Sequence, residues 1–131
     1  MAFRHYTELR VWQKSNDLAF AAYELSGGFP RREWYGITSQ LRRAALSIQL
    51  NISEGHGRAT PGEFLNALSA ANGSLNEVDN ILRFCERLSY ASAVELVPLY
   101  EMIADVGQML VRLQQALRVQ RQRKPTRTPA V

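Results

Sequence analysis

Residues 60–88, TPGEFLNALSAANGSLNEVDNILRFCERL, carry the pattern that decides the fold. Thr60, Pro61 and Glu63 read as a helix start, with a threonine cap, a proline at the first helical position and a glutamate at the third. In that arrangement Thr60 and Glu63 each satisfy an orphan backbone N–H. From there Phe64, Leu68, Ala71, Leu75, Val78, Leu82 and Cys85 alternate steps of four and three. This is the 3.5-residue seam of a helix that packs lengthwise against another. Gly73 lies inside the run and costs ~1 kcal/mol against alanine, which a long helix tolerates.

Downstream, Leu96, Leu99, Ile103, Val106, Leu110, Leu113 and Leu117 repeat the alternation. The segment starts near Ser92, or nearer Val97 if Pro98 keeps the first turns from forming. Upstream, Ile37, Leu41, Ala44, Ala45, Ile48 and Ile52 mark a helix from Glu33 or Thr38 to Glu54, closed by the run Glu54–Arg58. The first helix spans Thr7, as cap, to Ser26, with apolar positions Leu9, Trp12, Ala19, Phe20 and Tyr23. Gly27-Gly28-Phe29-Pro30 breaks it. No segment reads as a strand. Two long seamed helices need similar partners crossing at about 20°, and short loops make neighbours antiparallel. The predicted architecture is all-α, an antiparallel up-down-up-down four-helix bundle over residues 1–118. Residues 119–131 form a basic tail expected to be disordered.

The 131 residues suit one domain, and 46% hydrophobic with 21% charged residues suits a folded chain rather than a disordered one. Cys85 is the sole cysteine, so no intramolecular disulfide can form and a reducing compartment fits. The N-terminus lacks the apolar core of a secretion signal, and no stretch approaches the roughly 20 apolar residues that span a bilayer. A cytoplasmic protein with no membrane partner is expected. The net charge of +4 is uneven, because the last eleven residues hold Arg121, Arg123, Lys124 and Arg127 and no acid. The first 120 residues therefore balance twelve basic against twelve acidic side chains. Any electrostatic case for nucleic acid applies to the tail more than to the body.

Several helices carry apolar residues beyond one stripe, among them Leu46, Leu50, Leu65, Ile81, Phe84, Leu88, Met102 and Met109. Together they favour a self-association surface, since monomers seldom expose large apolar patches. Trp34 and Tyr35, beside a loop, could stack on bases. Such residues more often anchor a protein contact, and they join the candidate oligomer interface.

No chemistry-bearing constellation emerges. Cys85 falls on the seam and reads as a small buried hydrophobe. His5 and His56 are the only histidines, and Glu54-Gly55-His56 offers two ligands where a metal site wants three or four. Gly55-His56-Gly57 follows a helix rather than a strand, unlike phosphate-binding fingerprints. No enzyme activity, metal or cofactor is expected. Asn51, Glu54, Asn72, Asn76 and Glu77 read as a buried polar network that fixes helix register. Arg42 and Arg43, about 100° apart on one helix, either meet phosphate or pair with Glu54, Glu77 or Asp79. The balanced body favours pairing. With Arg58, Arg112, Arg118, Arg121, Arg123 and Lys124 they are the candidate nucleic-acid contacts. The tail is either a flexible arm that holds RNA or DNA, or a solubilising segment.

One ordered series of fragments is specific. Leu9-Arg-Val-Trp-Gln-Lys14 opens the first helix, and Phe29-Pro30 precedes Glu33-Trp-Tyr-Gly-Ile-Thr-Ser-Gln-Leu-Arg-Arg-Ala-Ala45. Ser47-Ile48, Asn51-Ile52-Ser53-Glu54-Gly55, Gly57-Arg58, Glu63-Phe64 and Gly73-Ser74-Leu75-Asn76-Glu77 follow. Over roughly residues 3–118 the series resembles the 23S rRNA intervening-sequence proteins, with the accessory variability protein of diversity-generating retroelements as a relative. The resemblance implies a four-helix bundle assembled as a ring-like homopentamer without enzymatic activity. It also implies, from the retroelement relative, binding of nucleic acid and of a reverse transcriptase through a basic surface. The expected function is a non-catalytic accessory assembly that binds RNA or DNA through clustered arginine and lysine. The alternative is a protein-only scaffold.

Overall fold

The long seam of residues 60–88 does form one helix, and three others pack around it. The computed structural model describes residues 5–123. Its α-helices are α1 (Arg10–Ser26), α2 (Ser39–His56), α3 (Pro61–Arg87) and α4 (Ala93–Gln122), and no strand occurs among the described residues. α1 packs on α2 and α4, and α3 packs on the same two helices.

α3 starts as its sequence dictates. Thr60 Oγ1 accepts from the Glu63 N–H at 3.1 Å, and Glu63 Oε1 accepts from the Thr60 N–H at 3.3 Å. Leu68, Ala71, Leu75, Val78, Leu82 and Cys85 are buried. Phe64 is only partly buried, while Leu65, expected on the second stripe, belongs to the core. The helix stops through Ser89, whose φ of 63° is left-handed. There the Ser89 N–H donates to Glu86 O at 3.0 Å and the Tyr90 N–H to Cys85 O at 2.9 Å. This two-bond closure usually employs glycine.

α4 begins at the earlier of the two expected positions. Ser92 Oγ accepts from the Glu95 N–H at 3.1 Å, and the Ser92 N–H donates to Glu95 Oε1 at 2.9 Å, a second reciprocal cap. Pro98 sits inside the helix and does not delay it to Val97. The helix also runs past the Arg118 boundary drawn from the sequence, through Gln122. Lys124 and the rest of the tail lie outside the described residues.

The structure corrects the reading of the first helix. Thr7 does not cap it. His5 caps a short 3₁₀ turn, Tyr6–Glu8, and α1 starts only after the buried, extended Leu9. Its buried face is Val11, Ser15, Leu18, Ala19, Ala22 and Ser26, whereas Phe20 and Tyr23 are exposed. Two serines on the inner face disguise that stripe. They can be buried because their hydroxyls donate back to the helix, Ser15 to Val11 O and Ser26 to Ala22 O, both at 2.7 Å.

α2 buries Leu41, Ala44, Ala45, Ile48 and Ile52 as expected, and Gln49 as well. The Gln49 Oε1 has no protein partner. α2 does not extend back to Glu33. A 3₁₀ turn, Arg31–Glu33, and a π-turn, Trp34–Thr38, precede it, with non-helical backbone at Gly36. At its other end Gly55 meets α3 so closely that a Cβ there would lie 2.6 Å from Ala67 Cβ.

Candidate nucleic-acid interface

From Val106 onward α4 carries no acid, and Arg112, Arg118, Arg121 and Arg123 are all exposed. None of the four is within ion-pair distance of a carboxylate among the described residues. Arg121 leans over the first turn of α3, about 3.6 Å from where a Cβ on Gly62 would be. Nearby, a mostly apolar hollow of about 430 Å³ is walled by Leu9, Phe64, Leu113 and Leu117, with His56 and Arg58 at its edge. Arg58 forms a 3.5 Å ion pair with Glu54 on an exposed surface, so its charge is partly matched.

Arg42 follows neither reading made from the sequence. Its Nε donates to Ser26 Oγ at 2.8 Å and its Nη2 to Tyr23 O at 3.0 Å, at the C-terminal end of α1. A guanidinium there adds a donor to the Tyr23 carbonyl, which also accepts from the Gly27 N–H, and opposes the negative end of the helix dipole. It is also flanked by aromatic rings, 4.6 Å from the Tyr23 centroid and 5.2 Å from that of Trp34. The three candidate acids lie elsewhere. Glu54 pairs with Arg58, Asp79 with Arg83 at 3.1 Å, and Glu77 accepts from Gln40 at 3.3 Å. Arg43 is exposed and makes no ion pair among the described residues.

The expected five-residue polar network is smaller and differently composed. Asn51 donates to Ser47 O at 2.8 Å, and Ser47 Oγ meets Ser74 Oγ at 2.9 Å, linking α2 to α3. Asn72 and Asn76 face solvent, and Glu54 and Glu77 are engaged at the surface.

The connection between α1 and α2 holds residues that sequence reasoning passed over. Glu33 Oε1 accepts from the Ile37 N–H at 3.2 Å, and Oε2 accepts from the Tyr90 hydroxyl at 2.7 Å. The Tyr90 bond, then the Ile37 bond, hold the Glu33 carboxyl below its ordinary pKa, and the same carboxylate raises that of Tyr90. A Cβ on Gly36 would lie 2.8 Å from Glu33 Oε1, so glycine leaves the carboxylate its place. Tyr90 also packs on Phe29, with centroids 5.7 Å apart. Trp34 is half exposed and Tyr35 is 93% exposed. The Arg31-Arg32-Glu33-Trp34-Tyr35 run was the available signal for this region; the Tyr90 partnership, 57 residues away, leaves none.

Of the apolar interface candidates, Leu46, Leu50, Phe84 and Leu88 are exposed. Ile81, Met102 and Met109 instead pack partly buried against the core. Phe20, Val94, Val97, Val111 and Val119 are exposed without having been singled out for the interface. Cys85 is buried, and desolvation first, then the Glu33 charge, push its pKa up to about 11. Among the described residues no group of three or more His, Cys, Asp or Glu is placed to hold a metal ion, and no helix is long and apolar enough to cross a membrane.

The family described as 23S rRNA-intervening sequence protein matches residues 7–112. A crystal structure of a protein with unknown function from the S23 ribosomal protein family of Bacteroides thetaiotaomicron is similar in fold. It has a TM-score of 0.74 at 21% identity, over 79% of this chain and 97% of that one. No curated protein matches the chain.

Proposed function

From its membership of the 23S rRNA-intervening sequence protein family, we propose that this chain is a non-catalytic helical-bundle protein that assembles with copies of itself. In this reading it holds RNA or DNA, as an accessory factor, through the arginines at the end of α4. The observation that carries the proposal is the stretch of chain from Val106 to Arg123, which holds no acid and along which Arg112, Arg118, Arg121 and Arg123 are exposed. Binding would come from release of counterions as guanidinium groups neutralise phosphates. The family's name, which refers to ribosomal RNA, is consistent with such a ligand.

The bundle is proposed to run up-down-up-down. Supporting this, Leu9 before α1, His56 at the end of α2, Phe64 at the start of α3 and Leu117 near the end of α4 line one hollow. Assembly as a pentameric ring follows from the family resemblance. Leu46, Leu50, Phe84 and Leu88, exposed on the single chain, are apolar area for such a contact. Gly73 adds to the case, because a Cβ there would meet nothing within 4 Å. A mid-helix glycine with no packing reason inside its own chain is explained if another backbone approaches. The non-catalytic reading is supported by Cys85, a buried thiol with a raised pKa and hence little thiolate at neutral pH.

The test is a salt series. The full chain should bind duplex DNA and RNA with little sequence preference and a log–log slope of about −0.9 per neutralised phosphate on duplex DNA. Removing residues 119–131 should weaken binding and flatten the slope. Identical curves for the two proteins would refute the role of this surface. A protein-only scaffold is favoured instead by the exposed Phe20, Leu50 and Phe84. It requires that no RNA be bound at ~150 mM salt. Sedimentation reports on assembly, and a particle of the single-chain mass, 14.8 kDa, at micromolar concentration would remove the ring.

A further inference from the structure

We infer that the elbow between α1 and α2 is a stacking platform for single-stranded nucleic acid, with Trp34 and Tyr35 taking base faces and Arg31 and Arg43 taking phosphates. The inference rests on the nucleic-acid reading above but names a different site and a different form of the ligand. Trp34 and Tyr35 divide two hollows. One, of about 450 Å³, is floored by Phe29, Pro30 and Thr38 with Arg31 on its wall. The other, of about 340 Å³, lies over Arg42, Arg43 and Leu46. Both fall within the size range of small-ligand pockets.

Three features suit unpaired nucleotides. First, the indole of Trp34 is held ready. Arg42 is fixed by two hydrogen bonds to the end of α1 and stands against Trp34, which limits the indole's freedom before any ligand arrives. Stacking on a ring already in place loses less entropy than stacking on a mobile one. Second, Tyr35 is almost wholly exposed among the described residues, which leaves its aromatic face open. Third, the charge is complementary to a polyanion. Arg31 and Arg43 are exposed and line the two hollows, and among the described residues no acid lines either. Glu33, one residue before Trp34, has both oxygens turned to the Ile37 N–H and the Tyr90 hydroxyl. Aromatic faces flanked by arginines bind single strands with little regard to sequence, since every base offers a π-face. Duplex bases are already stacked and cannot use such a platform.

The experiment measures binding of (rU)12, (dT)12 and a 12-base-pair duplex to the full chain by fluorescence anisotropy, alongside Tyr35→Ala. The variant should bind both single strands about 5- to 100-fold more weakly while duplex affinity stays within about twofold. A second measurement uses Trp12→Phe, which leaves Trp34 as the sole tryptophan, and (rU)12 should quench its emission on stacking. Unchanged single-strand affinity in Tyr35→Ala, or an unquenched Trp34, overturns the platform. So does a fall in sedimentation mass caused by Tyr35→Ala, which would assign the ring to a contact between copies. If removal of residues 119–131 abolishes all binding while Tyr35→Ala changes none, the platform fails and the α4 reading stands. If the full chain binds neither single strands nor duplex at low salt, both fall.

Discussion

α3 and the elbow at residues 29–38 show two ways in which a chain fixes its shape. α3 takes its start from a cap four residues long and its direction from an apolar residue at every third or fourth position. The elbow is held chiefly by a partner far away in sequence, Tyr90, whose hydroxyl meets Glu33 and whose ring packs on Phe29, while the nearer Arg42 stands against Trp34. Local signals thus specify where a helix runs, while distant side chains specify how the chain turns between helices.

The sharpest way to break this contrast is to cut into the helix seams. Leu82 and Leu110 are fully buried. Leu82→Ala and Leu110→Ala should each lower unfolding free energy by ~2–5 kcal/mol in chemical denaturation. A change near zero in both would show that the seams do not carry the fold. Next in size is an alkaline loss of stability to which both regions contribute. Burial first, then Glu33, raise Cys85 in α3 from 9.0 to about 11. The Glu33 bond first raises Tyr90 at the elbow. The unfolded chain therefore releases these protons at lower pH than the folded one, and stability falls as pH rises through 9 toward 11 and beyond. Denaturation midpoints measured from pH 8 to 11 should decline, and Cys85→Ala should decline less steeply. A smaller effect is expected at the helix start, where Thr60→Ala should cost about 1 kcal/mol by loss of the cap. The smallest change has the opposite sign. Ser89→Gly relieves a left-handed serine and should raise stability by ~0.5–1 kcal/mol, read from the thermal midpoint.

Most of the four-helix architecture was legible because leucine and isoleucine occupy the inner positions of α2, α3 and α4. It was least legible in α1, where Ser15 and Ser26 hold inner positions and Phe20 and Tyr23 outer ones, so hydrophobicity misstates the buried face. The candidate site divides in the same way. Exposure of Arg112, Arg118, Arg121 and Arg123 follows from their lying off the α4 seam. The role of Arg42 could not be read, since its partners are a backbone carbonyl and a serine hydroxyl on another helix rather than an acid. Glu33 was legible as a helix-start residue but not as the partner of Tyr90, because that contact exists only once the α3–α4 turn is closed.

The close approach at Gly55 leaves no room for a side chain at the foot of α2. An added methyl there would start 2.6 Å from Ala67 Cβ, whereas carbon atoms rest at ~3.5–4.0 Å, so the helices must part by about 1 Å. Overpacking of this kind costs ~1–3 kcal/mol, so even the smallest side chain at residue 55 would weaken the α2–α3 pair.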